Sequence, residues 1–428
     1  MPDIVVIGSG LAGTVAALEL CKSGASVTLA SRSWGVTSMS TGALDLAFSP
    51  ALSPAYNMPR TIAEHIMDIV AHRRRHPYAQ MGLEATIANL MGGWSCLEEA
   101  LKGSGLELGP LNLENENEAY VSTLGVAYPA AAVFRPHAGG ELTKLGNKKV
   151  GLLSLSGFSG FNARRIQNGI DSDLKASGSD LPNWSLVEAD LGLGGSSVLQ
   201  AKALEQEKVF EELLSIVSEG SSGLDALICP PVLGLGNFAT LRERLEEAAG
   251  AKVVEAIGCV PSVPGIRLQN ALDAASKNSG IVLKGEVVKA KYKGGRIEEL
   301  ELANGELLRV GSVVLATGRF VSGGVGWSDV CEESLLGLPV MTELGPLDVG
   351  SPHSVVRGRA EESHPLMTAG VQVNEALQPI REGQVAYDNL YAAGMVIGGF
   401  ASRYALCADG VAISTGCGAA REIVGRSS

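Results

Sequence analysis

Apolar and polar positions fall into blocks along this chain, and their spacing predicts its elements. The run Ile4 to Ile7 is apolar without interruption, as expected of a strand buried on both faces of a parallel sheet. GSGLAG follows as a turn, Thr14 to Ser23 repeats at helical spacing, and Ser26 to Ala30 makes a second strand. From Pro59 to Lys102 the spacing is helical, broken at His76-Pro77, where the proline ends one helix. Residues 103–146, rich in Gly, Pro, Asn and Glu, predict loops and edge strands at Ala119 to Ser122 and Ala130 to Phe134. A second alternation then begins. Strands are predicted at Val150 to Leu155, Ser185 to Ala189, Ala226 to Cys229 and Lys252 to Ala256, with helices Asn162 to Ala176, Val198 to Glu219 and Ala239 to Ala249 between them. This is the rhythm of a small doubly wound unit. Val260 to Gly265, with two prolines, leads back to helix Ile266 to Lys277, strand Ile281 to Leu283, a hairpin about Lys293 to Arg296, and strand Ser312 to Ala316.

Composition narrows the function classes. The 428 residues allow two or three domains, and 34 basic against 46 acidic side chains leave a net charge of −12, which disfavours nucleic acid as a partner. Glycine, 54 residues, is well above the usual ~7% and points to tight turns and close backbone approaches. The seven cysteines, Cys21, Cys96, Cys229, Cys259, Cys331, Cys407 and Cys417, form no CxxC, so neither a disulfide framework nor an iron–sulfur cluster is expected. No apolar run reaches bilayer-spanning length and the N-terminus shows no cleavable leader, so the expected location is cytoplasmic, with membrane contact only through a partner.

The chemistry lies in three glycine-bearing segments. Gly8, Ser9, Gly10, Leu11, Ala12 and Gly13 form a GxGxxG turn between strand and helix, where backbone N–H groups and the positive end of the helix hold a pyrophosphate. The acidic residue that usually grips the adenosine ribose at the end of the second strand is missing. Ser31 and Arg32 stand there, suited to a ribose hydroxyl and a phosphate, which leaves both FAD and FMN open. Val313 to Gly318 is a strand ending in Ala316, Thr317 and Gly318, as in flavoproteins with two dinucleotide-binding motifs. Asn389 to Gly394 resembles the strand before the flavin's ribityl contact, with Met395 where an Asp is common. Gly399, Gly410 and Val411 lead into a last helix, whose N-terminus is expected to face the flavin. The small and hydroxylated loop Ser40, Thr41, Gly42, Ala43 and Leu44 suits contact with the cofactor, while Asp45 reads as a turn cap. The expected fold class is therefore α/β: a Rossmann-like flavoprotein domain of the FAD/NAD(P)-binding type from residues 1–146 and 261–428, carrying an inserted, smaller doubly wound domain at 147–260.

Other polar residues are weaker candidates. His65, His72 and His76, beside Arg73 to Arg75, read as a solvated basic face and not as a metal site. His137, His353 and His364 lie in loops where one of them could act as acid or base, and no catalytic base is assigned. Arg267 opens a helix, where its charge opposes the dipole, so it needs a fixed partner, a structural carboxylate or a bound anion. Arg319 and Arg403 are similar substrate-binding candidates.

With Gly8 to Gly13, Ser40 to Leu46, Val263 to Asn270, Val314 to Gly324 and Asn389 to Phe400 in view, the chain resembles the B-subunit family of the anaerobic glycerol-3-phosphate dehydrogenases. The resemblance implies a flavin subunit carrying FMN that works with an FAD-bearing subunit and an iron–sulfur subunit at the inner face of the membrane. Such complexes oxidise sn-glycerol 3-phosphate to dihydroxyacetone phosphate and reduce a quinone. Whether this chain oxidises the substrate, relays its electrons as a scaffold or electron-transfer subunit, or is a flavin dehydrogenase or reductase for another small acid or ketone stays open at this point. One departure stands out: after Gly398-Gly399-Phe400 the family's glycine-rich stretch is replaced by Ala401 to Gly410, which brings Asp409 to the start of the last helix.

Overall fold

The apolar runs at the two ends of the chain meet in one five-stranded sheet. Its order is Val282–Lys284, Val27–Ala30, Ile4–Ile7, Ser312–Leu315 and Leu390–Ala392, every pair parallel. Ile4 pairs with Val27 on one side and Ser312 on the other, so the central strand is fully buried. The chain builds outward from this strand to one side, then crosses to the other, and the order reverses beside it. Ligands of open α/β sheets bind at the carboxyl ends of the strands at such a reversal. The opening helix Leu11–Lys22 and the closing helix Ala408–Ser427 pack together, and Leu83–Ala100 lies against the closing helix. The computed structural model describes residues 4–48, 60–258, 260–359 and 364–427, apart from the side chains of Arg403, Tyr404 and Ser427. Pro59, Cys259 and the substrate candidate Arg403, by its side chain, lie outside that description.

A second parallel sheet occupies the middle of the chain, in the order Lys252–Glu255, Ala226–Cys229, Lys149–Leu155, Asn183–Ala189. Its two faces separate by the two-residue period of a strand: Leu153 and Leu155 join one core with Phe210, Leu213 and Leu241, while Val150 and Leu152 join another with Ile166, Ile170 and Leu174.

Several local expectations need correction. The helix expected over Val198 to Glu219 is two, Ser197–Leu204 and Glu207–Gly220, broken where Gln206 takes an extended backbone, and beside the break Glu205 turns its carboxylate to the N–H groups of Leu235 and Gly236 (2.8 and 2.7 Å). The helix expected from Ile266 begins at Val263, because the Ser262 hydroxyl caps it by accepting the Gly265 N–H at 2.9 Å. Its first turn tolerates Pro264, whose missing N–H would have no partner in any case. His65 and His76 do not form a solvated face, since both are buried. His76 instead caps the short helix Pro77–Met81. Among the described residues no helix is long and apolar enough to cross a membrane, and no group of His, Cys, Asp and Glu could hold a metal ion.

Candidate flavin-binding cleft

The carboxyl edge of the five-stranded sheet opens into a cleft of about 550 Å³. It runs from Ser31, Arg32 and Glu286, past Gly8 to Ala12, to Met395, Ala408 and Asp409. Crossing four strand-to-strand spacings, it is roughly 19 Å long.

Close backbone packing builds its floor. Gly8, at φ +116°, lies so near Ala316 that a Cβ would sit 2.2 Å from the Ala316 carbonyl oxygen, and a Cβ on Gly13 would sit 1.8 Å from the Gly8 oxygen. The first glycine therefore lets the turn stack on the Ala316-Thr317-Gly318 strand end, and the third lets the helix follow at once. Gly10 differs, with an ordinary backbone and only the Thr37 hydroxyl 3.1 Å from its missing Cβ. That hydroxyl accepts the Leu11 N–H at 2.9 Å, so Thr37 holds the first turn of the helix. The Ser9 hydroxyl donates to that of Ser31 at 2.9 Å, tying the turn to the second strand.

Of the residues expected to hold a cofactor, Gly8, Ser9, Gly10, Leu11, Ala12, Ser31, Arg32, Ser40, Thr41, Ala43, Ala316, Thr317, Gly318 and Met395 line the cleft. Gly13, Gly42, Leu44, Gly394, Gly399, Gly410 and Val411 stand behind its wall. Their positions have packing reasons: a Cβ would meet the His137 ring at Gly42, Ala12 at Gly394, the Arg75 carbonyl at Gly399 and the Tyr78 hydroxyl at Gly410, while Leu44 and Val411 are core. Two side-chain atoms of the lining, Thr317 Oγ1 and Asp45 Oδ1, are buried without a protein partner. The glycine turn at a helix start, the room beside Gly10 and these orphaned oxygens fit a phosphate-bearing polar cofactor.

Two arginine candidates do not reach the cleft. Arg267 is buried on Glu255, with Nη1 2.5 Å from Oε2 and Nη2 3.1 Å from Oε1, and its Nε donates to the Gly234 carbonyl at 2.8 Å. The structural carboxylate is thus its partner. Arg319 donates to four backbone carbonyls, those of Met395, Met367, Ile397 and Phe400, and stacks on the Phe400 ring. Burial lowers its pKa to about 10, which still leaves it charged. His137 also turns inward. Its Nδ1 donates to the Glu255 carbonyl at 2.8 Å, and its buried Nε2 lies against Gly42.

The segment Val263 to Asn270 therefore acts as a bracket. The Ser262 hydroxyl donates to the Ser40 carbonyl, Gly265 leaves space for the backbone of Ser38, Arg267 pairs with the end of a second-sheet strand, and Gln269 donates to the Ser9 carbonyl at 2.9 Å. It clamps the loops that line the cleft against the second sheet.

Sequence patterns alone single out neither Glu286 nor Tyr128, nor the pairing of Asp45 with Asp409. Glu286 lines the cleft beside Arg32, 3.9 Å away, at the end where the second strand lacks its carboxylate. At the other end the Tyr128 hydroxyl donates to Asp45 Oδ2 at 2.8 Å, and the Asp45 N–H donates to Asp409 Oδ2 at 3.0 Å. Burial pushes the Asp45 carboxyl up to about 6. Asp409 goes up to about 7 through burial and then the neighbouring Asp45 charge, which together outweigh the hydrogen bond from the Asp45 N–H that favours the ionised form.

The chain has sequence relatives over nearly its whole length. Over 444 residues the chain is 26% identical to the B-subunit of the anaerobic glycerol-3-phosphate dehydrogenase of Glaesserella parasuis serovar 5, covering 99% of both chains. It is 26% identical over 443 residues to the protein of that name from Yersinia enterocolitica, covering 99% of this chain and 98% of that one. Among solved structures, the open conformation of a flavocytochrome c3 fumarate reductase aligns with a TM-score of 0.46 at 12% identity, over 100% of this chain and 78% of that one. The family described as FAD binding domain matches residues 3–91 and 194–411, a span that holds the glycine turn, the Ala316-Thr317-Gly318 strand end and Asp409. The chain belongs to the FAD binding domain family, and the cleft is its candidate flavin site.

Proposed function

We propose that the chain is the flavin subunit of a multi-subunit, quinone-linked glycerol-3-phosphate dehydrogenase, and that it passes electrons between partner subunits without itself holding the sugar phosphate. Its relatives are named as one lettered subunit of a dehydrogenase, which supports an assembly. By the family resemblance its partners are an FAD-bearing subunit and an iron–sulfur subunit. The observation that carries the relay reading is the charge of the cleft. Arg32 is the one cation among the described lining residues, and it stands at the Glu286 end, whereas the opposite end presents Asp45 and Asp409. A dianionic phosphate ester needs charge-assisted donors, and Arg267 and Arg319 are engaged inside the protein. A bound flavin supplies a two-electron acceptor, and the residues of this chain seat it and shield one end from charge.

The test is anaerobic. The isolated, flavin-loaded chain should stay oxidised with glycerol 3-phosphate, and bleach with dithionite or when the reduced FAD-bearing partner is added. Bleaching by glycerol 3-phosphate alone would overturn the relay reading.

We also propose FAD as the flavin. The cleft continues past the glycine turn to Ser31, Arg32, Glu286 and Val287, and a mononucleotide would leave that end unfilled. Glu286, reaching across from the neighbouring strand end, would take the ribose in place of the missing carboxylate. Chromatography of the flavin released by denaturation checks this, and FMN alone would overturn it.

A further inference from the structure

At the end of the cleft away from Arg32 two acidic residues are neighbours, the Asp45 backbone N–H donating to Asp409 Oδ2 at 3.0 Å. Asp45 follows a short strand, Asp409 opens the closing helix, and both line the cleft. Asp45 Oδ1 has no protein partner, while its Oδ2 accepts from Tyr128. The groups facing them are Tyr128, Tyr78 and Cys407, each held protonated by burial and by the carboxyl charges. Behind Cys407 lie His76 and Arg319. The His76 Nδ1 accepts the Tyr78 N–H at 3.1 Å, so its proton is on Nε2, toward the Cys407 sulfur at 3.4 Å. Burial keeps that ring neutral, its pKa lowered to about 3. Arg319 is charged but donates to carbonyls, not to either carboxyl. Two like charges in so enclosed a place are disfavoured, and a single shared proton removes one of them.

We infer that Asp45 and Asp409 share one proton and form the acid–base pair that gives this proton up as electrons enter the bound flavin and takes it back as they leave. This rests on the proposed placement of the redox ring at that end. On reduction two electrons arrive from a reduced redox protein, or from dithionite in the test. The carboxyl O–H bond breaks, its proton goes to the cofactor and a carboxylate remains. On reoxidation by the next carrier the proton returns. The acidic end, unsuited to a phosphate ester, thus has a use in a relay.

The first arm of the test uses cofactor-free protein. Infrared difference spectra across pH should show a protonated carboxyl that ionises between about pH 6 and 7. The signal should be absent in the Asp45→Asn/Asp409→Asn double variant. Tyr128→Phe, which removes a hydrogen bond favouring the ionised form of Asp45, should move it to higher pH. Absence of any such carboxyl in the wild type overturns the inference, as does a Tyr128→Phe shift to lower pH. The second arm measures the flavin potential against pH. The wild type and the double variant should differ in slope across the range where the carboxyl titrates. Identical profiles overturn the proton-transfer role while leaving the relay reading intact. Reduction of the isolated chain by glycerol 3-phosphate would instead strike at the relay reading and leave the shared proton standing.

Discussion

The molecule contains two doubly wound sheets, and at the same topological position one is open and the other is plugged. In the first, the carboxyl edge where the strand order reverses carries a glycine turn and a cleft. In the second, the order reverses between Lys149–Leu155 and Ala226–Cys229, and the loop after the latter, Pro230 to Gly236, is where backbone N–H groups would receive an anion. There the protein uses its own carboxylates. Glu255 accepts the Leu233 N–H at 2.9 Å, Glu205 accepts those of Leu235 and Gly236, and Arg267 closes over Glu255. A strand reversal creates the opportunity for a ligand, and side chains from neighbouring elements decide whether a ligand or the protein itself takes it. The two places also answer pH with opposite sign. Burial raises Glu255, but the Arg267 charge and hydrogen bonds outweigh it, so its pKa is lowered on folding. Its stabilisation is present above the ordinary carboxyl range and is lost as pH falls through the lowered value. Asp45 and Asp409 are raised on folding, so their stabilisation is complete below about pH 4 and is lost as pH rises through 6 and 7.

The largest effect is expected from filling the open site. Gly10→Val should abolish flavin binding while the protein remains folded, because this glycine has an ordinary φ of −73° and its side chain would occupy the phosphate's place. Absorbance of the flavin bands after gel filtration checks it. Stoichiometric flavin in the variant would place the cofactor elsewhere.

Next comes the plug. Glu255→Ala leaves the Arg267 guanidinium buried without its charge partner and should cost about 3–5 kcal/mol in chemical denaturation. Pairing Glu255→Gln with Arg267→Met should recover much of this, since apolar or neutral replacement of both partners removes the stranded charge. A loss under ~1 kcal/mol for Glu255→Ala would mean the pair is not the keystone of the closed crevice.

How much of this could be read in advance follows from sequence distance. The glycine turn, the Ala316-Thr317-Gly318 strand end and the helix after Asp409 announce themselves because each is a local pattern with a local cause. The Arg267 partner had a local signal too, a Glu at the end of the apolar strand Lys252–Glu255, where a buried carboxylate demands a cation. Its meaning depends on a helix turning back twelve residues later. Asp45 and Asp409 are 364 positions apart, and no spacing rule links them. The glycines behind the wall, such as Gly399 and Gly410, carry the same letter as those in it, and only the backbone they approach tells them apart.

A smaller effect should follow from unplugging half of the closed crevice. Glu205→Ala takes the acceptor from the half-buried Leu235 N–H and the exposed Gly236 N–H, which water can then reach, at a cost of about 0.5–1.5 kcal/mol. If the second crevice differs from the first only by being filled, inorganic phosphate should now stabilise the variant by on the order of 1 kcal/mol and leave the wild type unchanged. Equal responses of the two proteins to phosphate in thermal unfolding would show that the loop, and not merely its occupant, has lost the shape of an anion site.

The smallest effect sharpens the comparison at the other end of the open cleft. Glu286 carries a side chain about 40% exposed and stands 3.9 Å from Arg32, so their pairing contributes ~1 kcal/mol at most to the fold. Its expected contribution is instead a hydrogen bond from a ribose hydroxyl. Glu286→Gln keeps an acceptor but loses the charge that strengthens the bond, a difference of about 1 kcal/mol or some fivefold in affinity. With the adenosine of the proposed dinucleotide at this end, FAD should weaken by this factor while FMN is unaffected. Parallel titrations of cofactor-free wild type and variant with the two flavins, followed by fluorescence quenching, read the difference directly. Equal weakening of both would assign Glu286 to the shape of the cleft and not to the adenosine, and the plugged and open crevices would then differ in their floor alone.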